Sequence, residues 1–139
     1  DTPPAKLNVL GAFLIGAVFP TGAQPPITQP IVAPAEGATA EYGKYLVSVL
    51  TCQVCHGENL AGRKAGGVGP PAGPNLTAIV PNWSVENFIH TFRTGLDPSG
   101  RKLVEGMPWK EVSAFASDED LKAMYAYLHS LPLLTGASK

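Results

Sequence analysis

The sequence predicts an all-α fold of short helices joined by long loops. Three segments place apolar residues at the spacing of an amphipathic helix, and each follows a residue that can cap a helix N-terminus. No segment shows the sustained alternation of apolar and polar residues that is typical of a β-strand. The 15 glycines and 14 prolines among 139 residues exclude long uninterrupted helices.

The first predicted helix follows Thr39, whose hydroxyl can cap it. Apolar residues at i, i+3, i+4 and i+7 define the face that we expect to be buried. These residues are Tyr42, Tyr45, Leu46 and Val49. A loop rich in glycine and proline, residues 61–77, separates this helix from the next one.

The second predicted helix is capped by Ser84 and ends at Gly95, a residue type favoured just after a helix. Its expected buried face consists of Val85, Phe88, Ile89 and Phe92. A shorter helix is predicted to begin at Pro108, because a first-turn proline loses no hydrogen bond.

The third predicted helix is capped by Ser117 and stopped by Pro132. Three acidic residues, 118–120, occupy its first turn, where the helix dipole favours negative charge. Its expected buried face consists of Leu121, Met124, Tyr125 and Leu128.

Residues 1–37 differ in composition from the rest of the chain. No charged residue lies between Lys6 and Glu36, and an apolar segment at 7–19 is followed by five prolines. As a helix, this segment would be about 20 Å long, shorter than the ~30 Å hydrocarbon core of a bilayer. We interpret 1–37 as an apolar, Pro-rich arm or linker and 38–139 as the globular domain. A signal-peptide remnant is the alternative interpretation.

The charge balance excludes one class of partner. The formal net charge is −1, and only 15% of the residues are charged. Nucleic-acid binding needs a basic surface, so nucleic acid is not an expected partner.

The cysteines carry the clearest chemical signal. Cys52 and Cys55 are the only cysteines, and His56 follows directly, giving a C-x-x-C-H motif. A disulfide would close a very small loop and stabilise little, and a zinc site would need a second ligand pair. A thioredoxin-like dithiol would accompany a βαβ pattern, which is missing. The motif instead predicts one haem c, bound through thioethers to both cysteines with His56 on the iron.

The opposite face of the iron needs a second ligand, and Met107, Met124, His90 and His129 are candidates. Met107 is favoured because it lies in a predicted loop before Pro108, which restricts the preceding residue to extended conformations. Met124 lies on the apolar face of the third helix, where methionine commonly fills the core.

Taken together, these patterns resemble those of class I c-type cytochromes. The matching features are Gly43 on the first helix, CQVCH at 52–56, GPNLT at 73–77, GMPW at 106–109 and AYLHSLP at 126–132. The resemblance covers roughly residues 38–132. It is greatest to haem domains of cytochrome subunits that serve bacterial periplasmic dehydrogenases and membrane electron-transfer complexes.

The resemblance implies a cytochrome c-like fold, with three main helices, short helices and long Gly/Pro loops around one covalently bound haem. In such proteins a glycine of the first helix crosses closely over the last helix, which suggests that Gly43 meets Tyr127 or Leu128. The carbonyl of a loop proline accepts a hydrogen bond from the proximal histidine. Pro74 matches this role best, and Pro70 and Pro71 leave the register open.

The charge and polarity of individual side chains suggest further haem contacts. Trp83 and Trp109 are expected among the side chains that bury the porphyrin. Arg93, Arg101 and Trp109 are candidate partners for the haem propionates. The alternative is that these arginines are solvated surface residues and that Trp109 belongs to the core.

With histidine and methionine on the iron, no site remains open for a substrate, so one-electron transfer is the expected function and enzymatic activity is not. The implied setting is periplasmic, as a carrier or as a subunit of a respiratory or dehydrogenase complex. Expected partners are a redox protein donor and acceptor, with residues 1–37 engaging a larger membrane-associated complex or an upstream haem domain. The alternative is a haem enzyme, or a protein that binds gas or peroxide, with a labile methionine ligand.

Overall fold

The computed structural model describes residues 8–18, 28, 32–64 and 71–135 of the chain. The chain divides into two units, Asp1–Val32 and Ala33–Lys139. Helices, turns and loops account for the described residues, which include no β-strand and only an isolated bridge between Leu96 and Lys102. The predicted all-α class is confirmed.

Among residues 8–18, 28 and 32, which are the described part of the first unit, there is one helix, α1 (Val9–Val18). The side chains of Val9, Leu10 and Phe13 on it are exposed. No helix within the described ranges is long and apolar enough to cross a membrane. Most prolines of the predicted arm lie outside the described residues, and the boundary at residue 37 stays a prediction.

The second unit contains the other helices of the described residues, some of a single turn and some longer. In chain order these are α2 (Ala40–Val49), α3 (Gln53–His56), α4 (Leu76–Ile79), a 3₁₀ turn (Val80–Asn82), α5 (Val85–Thr94), α6 (Trp109–Phe115) and α7 (Asp118–Ser130).

The three predicted N-terminal caps are confirmed. The hydroxyl of Thr39 accepts a hydrogen bond from the backbone N–H of Tyr42, and Ser84 caps α5 in the same way. Ser117 forms a reciprocal capping box with Asp120 at the start of α7. The helix predicted at Pro108 begins one residue later, at Trp109.

The closest helix contact is that between α2 and α7. A Cβ atom added to Gly43 would lie 1.9 Å from the carbonyl oxygen of Ala123, so only glycine fits there. The expectation that Gly43 meets Tyr127 or Leu128 is therefore wrong by about one helical turn. The contact occurs at Ala123 because its small, fully buried side chain lets the two backbones approach.

This crossing also corrects the predicted buried face of α2. Gly43 and Val47 are buried, whereas Val49 is exposed and Tyr42 is half-buried. The predicted face is only partly right. Leu46 packs against the core as expected, but the close contact with α7 turns the Gly43–Val47 side toward that helix. The prediction used only the spacing of apolar side chains, so Gly43 was not counted as part of the buried face.

The predicted faces of α5 and α7 are largely confirmed. On α5, Phe88 and Phe92 are buried as expected, but Thr91 replaces Ile89 as the third buried residue. The hydroxyl of Thr91 donates to the carbonyl of Asn87, so its polar group is satisfied. The buried core of the unit consists of Val47, Leu60, Val80, Phe88, Phe92, Val112, Leu121, Met124 and Leu128.

Arg93 joins α5 to the connection between α6 and α7. Its guanidinium donates to the carboxylate of Asp118 at 2.6 Å, to the carbonyl and hydroxyl of Ser113 at 2.7 and 3.1 Å, and to the carbonyl of Ala116 at 2.8 Å. A planar group with five donors is suited to such a junction.

We expect Gly43→Ala to destabilise the protein by about 1–3 kcal/mol, the usual range for overpacking. In an open position the same change would stabilise the helix by ~1 kcal/mol, because alanine is the better helix former. Urea denaturation of the holo-protein measures the difference. The control is Lys44→Ala, an exposed change on the same helix. A more stable Gly43→Ala variant would contradict the close contact.

We expect Arg93→Met to lower the free energy of unfolding by about 1–3 kcal/mol, because the carbonyls of Ser113 and Ala116 lose a charged donor. Arg93→Lys should recover part of this loss, since an ammonium group keeps the positive charge but not the planar arrangement of five donors. Lys44→Met, at an exposed position on α2, serves as the control in the same denaturation experiment. Equal stability of Arg93→Met and the parent chain would show that the network contributes nothing.

Candidate functional site

The second unit contains a cavity of about 760 Å³, a size typical of ligand pockets. Both cysteines, His56 and Met107 line it. Its walls are largely apolar. The apolar side chains that line it include Leu76, Ile79, Val80, Trp83, Phe88, Phe92, Leu103, Met124 and Leu128.

The short helix α3 brings the cysteines and the histidine together at one side of this cavity. Positions three apart on a helix face the same side, which places Cys52 and Cys55 next to each other. The backbone N–H of Cys52 bonds to the carbonyl of Val47 at 3.2 Å, so the motif is attached directly to α2. Thr51, at the junction, has a φ of +54° and makes the turn between the two helices.

His56 is oriented by the loop that follows the motif. Its Nδ1 lies 2.9 Å from the carbonyl oxygen of Pro74. A carbonyl only accepts, so Nδ1 carries the proton and Nε2 keeps a free lone pair. Burial lowers the pKa of His56, although the hydrogen bond to Pro74 opposes this effect. The ring is therefore neutral at pH 7, the form in which histidine binds a metal.

The backbone of Gly73 lies directly against the same ring. A Cβ atom at this position would come within 2.7 Å of Nδ1 and 2.9 Å of Cε1 of His56. The N–H of Gly73 donates to the carbonyl of Cys55 at 2.7 Å, which ties the loop to the motif. Glycine is required here because any side chain would displace the imidazole.

The state of Cys52 argues against a thiol-exchange site. Burial raises the pKa of its thiol to about 11, so the thiolate is scarce at neutral pH. A reactive dithiol needs the opposite shift, because the thiolate is the nucleophile.

Met107 lies in a turn between α5 and α6. Its N–H donates to the carbonyl of Val104 at 2.9 Å, and its own carbonyl accepts from the N–H of Trp109 at 2.8 Å. A Cβ atom on Gly106 would lie 2.7 Å from Cγ of Pro71, so this turn packs against the loop after the motif. Of the alternative ligands, Met124 also lines the cavity, whereas His90 and His129 are exposed.

Polar residues of the cavity lining are supplied mainly by the segment after α5. Asp97, Ser99, Arg101 and Lys102 all contribute to it. The Asp97 carboxylate accepts from the Ser99 hydroxyl at 2.6 Å and pairs with the Arg101 guanidinium at 2.8 Å. Hydrogen bonds from Ser99 and then Arg101 hold the pKa of Asp97 at about 2, so this pair stays charged.

The predicted haem contacts are only partly brought together. Pro74 and Trp83 line the cavity with the motif, and so does Arg101. Arg93 and Trp109 are absent from the described lining; Arg93 forms the network with Ser113, Ala116 and Asp118, and Trp109 packs on Gly95. Their assignment as haem contacts stays a prediction. Pro70 lies outside the described residues.

Sequence reasoning missed three features of this site. Gly73 was not singled out, although its position beside Pro74 is a signal that backbone approaches closely. Asn75 caps α4, as the Asn before an apolar segment can indicate. Thr77 ends the GPNLT segment of the resemblance, but nothing in the sequence indicates that its hydroxyl is buried.

The donor set fits a covalently bound haem. Two thiols, a neutral imidazole with a free Nε2 lone pair and a thioether line one apolar cavity. These groups are what thioether attachment and axial ligation of a haem iron require.

Comparison with known proteins gives the same result. Residues 38–128 match the family model described as cytochrome c oxidase, cbb3-type, subunit III. The chain is 30% identical over 138 residues to the cytochrome subunit of fructose dehydrogenase from Gluconobacter japonicus, covering 90% of this chain and 27% of the relative. It is 31% identical over 116 residues to the cytochrome c subunit of gluconate 2-dehydrogenase from Pantoea cypripedii, covering 76% and 26%.

A third relative is the cytochrome c subunit of the quinone alcohol dehydrogenase from Gluconobacter oxydans. It is 28% identical over 103 aligned residues, with 67% of this chain and 21% of the relative covered. The chain thus spans between 21% and 27% of the length of these curated relatives. No solved structure matches it.

Several predictions from the sequence are confirmed by these matches. They are the cytochrome c-like all-α fold, one haem c attached through Cys52 and Cys55, and electron transfer through that haem. The chain belongs to the family described as cytochrome c oxidase, cbb3-type, subunit III, and is a c-type cytochrome domain.

Proposed function

We propose that this domain transfers single electrons through a haem c with His56 and Met107 as axial ligands, as part of a dehydrogenase complex outside the cytoplasm. The observation that carries the proposal is the single cavity lined by Cys52, Cys55, His56 and Met107. When bound, haem c supplies a one-electron iron couple.

The protein residues have distinct tasks in this proposal. Cys52 and Cys55 attach the cofactor, and His56 offers its Nε2 lone pair because Pro74 holds the Nδ1 proton. Met107 supplies a soft, neutral thioether, which favours the ferrous state and raises the reduction potential. The apolar walls act in the same direction, since burial disfavours the additional charge of the ferric form.

The proposed partners follow from the names of the relatives. These are cytochrome subunits of enzymes that oxidise fructose, gluconate or an alcohol. A catalytic dehydrogenase subunit is therefore the proposed electron donor, and a second redox protein the acceptor. Covalent haem attachment takes place on the periplasmic side in bacteria, which is the proposed location.

The proposed role of residues 1–37 is to connect the domain to a larger membrane-associated complex or to a neighbouring haem domain. Three exposed apolar side chains on α1, Val9, Leu10 and Phe13, support a docking role. The absence of charge between Lys6 and Glu36 fits a segment that is covered by a partner.

The axial assignment is tested with Met107→Ala in the purified holo-protein. We expect the weak long-wavelength absorption band of methionine-ligated ferric haem to disappear and the reduction potential to fall, because the thioether that favours ferrous iron is lost. Added imidazole or cyanide should then bind the ferric iron faster than in the parent chain.

The matched control is Met124→Leu, because Met124 lines the same cavity but is assigned to its wall. This variant should keep the band and the slow ligand binding. Loss of the band in Met124→Leu but not in Met107→Ala would exchange the two assignments. A high-spin parent protein would favour an open iron and ligand binding in place of electron transfer.

The docking role of α1 is tested with the double variant Leu10→Ser and Phe13→Ser. We expect the parent chain to self-associate in gel filtration with light scattering, because its apolar helix is otherwise exposed to water. The variant should be monomeric, with an unchanged haem spectrum. Monomeric behaviour of both chains would argue against a docking function for these side chains.

A further inference from the structure

The loop that carries the Pro74 carbonyl is fixed on its N-terminal side by the haem motif itself. Gly73 donates to the carbonyl of Cys55 at 2.7 Å and lies against the ring of His56. Since His56 and Pro74 are linked at 2.9 Å, any shift of this loop changes the hydrogen bond to the imidazole.

The C-terminal side of the same loop is fixed from a distant part of the chain. We define the C-terminal strap as residues 131–134, which follow α7. The side-chain amide of Asn75 donates to the carbonyl of Leu134 at 2.8 Å, and the N–H of Leu134 donates to the hydroxyl of Thr77 at 3.0 Å. The Thr77 hydroxyl donates in turn to Oδ1 of Asn75 at 2.7 Å. The three hydrogen bonds form a closed ring.

This ring contains more hydrogen bonds than the cap of a helix requires. Oδ1 of Asn75 already caps α4 through the N–H of Ala78, and a cap needs only that oxygen. The amide nitrogen of Asn75 and the hydroxyl of Thr77 are additional, and both bind Leu134. Thr77 is only 1% exposed, so its hydroxyl would be costly to bury without these partners.

We propose that the C-terminal strap, through Asn75 and Thr77, positions the Pro74 carbonyl and thereby sets the donor strength of His56 toward the haem iron. Asn75 and Thr77 are positioning residues, because they act through Pro74 and His56. A strong hydrogen bond donated by Nδ1 raises the basicity of the imidazole and favours ferric iron. Loosening the strap therefore raises the reduction potential. The inference rests on the proposed ligation by His56.

The test uses Thr77→Val, which keeps the side-chain shape but loses the hydroxyl, and Asn75→Ser, which keeps a cap oxygen but loses the amide donor. In the holo-protein both variants should have a raised reduction potential. The His56 Nδ1 proton, followed by NMR in the ferrous state, should exchange about tenfold faster, the factor that corresponds to one lost hydrogen bond.

Two controls separate positioning from general stability. Thr77→Ser restores the hydroxyl and should return both the potential and the exchange rate toward the values of the parent chain. Ser117→Ala removes the N-terminal cap of α7, outside the described cavity lining and at the other end of that helix from the strap, so it should lower the stability of the fold and change neither value. A Ser117→Ala variant that reproduces both effects would overturn the inference.

Different experimental results would contradict the role of the strap and the assignment of His56 as an iron ligand. A parent protein without a low-spin, histidine-ligated spectrum would overturn the ligand assignment. A parent protein with that spectrum, combined with unchanged potential and proton exchange in Asn75→Ser, would overturn the role of the strap alone. If Thr77→Val fails to fold, Asn75→Ser decides the question, because α4 keeps its cap.

Discussion

The hydrogen bond from His56 to the Pro74 carbonyl is the constraint around which the domain is organised. It fixes the proton on Nδ1 and leaves Nε2 free, and the neighbouring residues maintain it. Gly73 leaves room for the ring because it has no side chain. Asn75, next to Pro74, is bound to Leu134 at the end of the chain's last described segment. One short loop thus connects the haem motif with residues that are far away in sequence.

The helix frame explains how such a loop can be held in place. The haem motif follows α2 almost directly, and α7 contributes Met124 and Leu128 to the cavity wall. Because Gly43 and Ala123 are in backbone contact, α2 and α7 cannot slide past each other without a clash. The attachment point of the cofactor and one wall of its cavity are therefore fixed by the same crossing. Arg93 adds a second junction, between α5 and the start of α7.

The distribution of polarity suits electron transfer. The cavity walls are apolar, whereas its charged lining residues are concentrated in the segment after α5, where Asp97 and Arg101 form an ion pair. A paired carboxylate with a pKa of about 2 stays ionised together with its arginine, so it contributes a dipole more than a net charge. The chain's formal net charge of −1 supplies little long-range electrostatic steering.

Features that depend on neighbouring residues could be predicted before the fold was known. The caps at Thr39, Ser84 and Ser117, the haem motif at 52–56 and the turn around Met107 were all predicted, because each is encoded within a few positions. Contacts between distant segments became visible in the folded chain and not before. Periodicity placed the centre of the buried face of α2 incorrectly, because that face is set by Gly43 against Ala123. Arg93 lies in a helix junction that no local pattern indicates, and the ring joining Asn75, Thr77 and Leu134 spans 57 to 59 residues. Such contacts depend on how the helices pack, which a short stretch of sequence does not record.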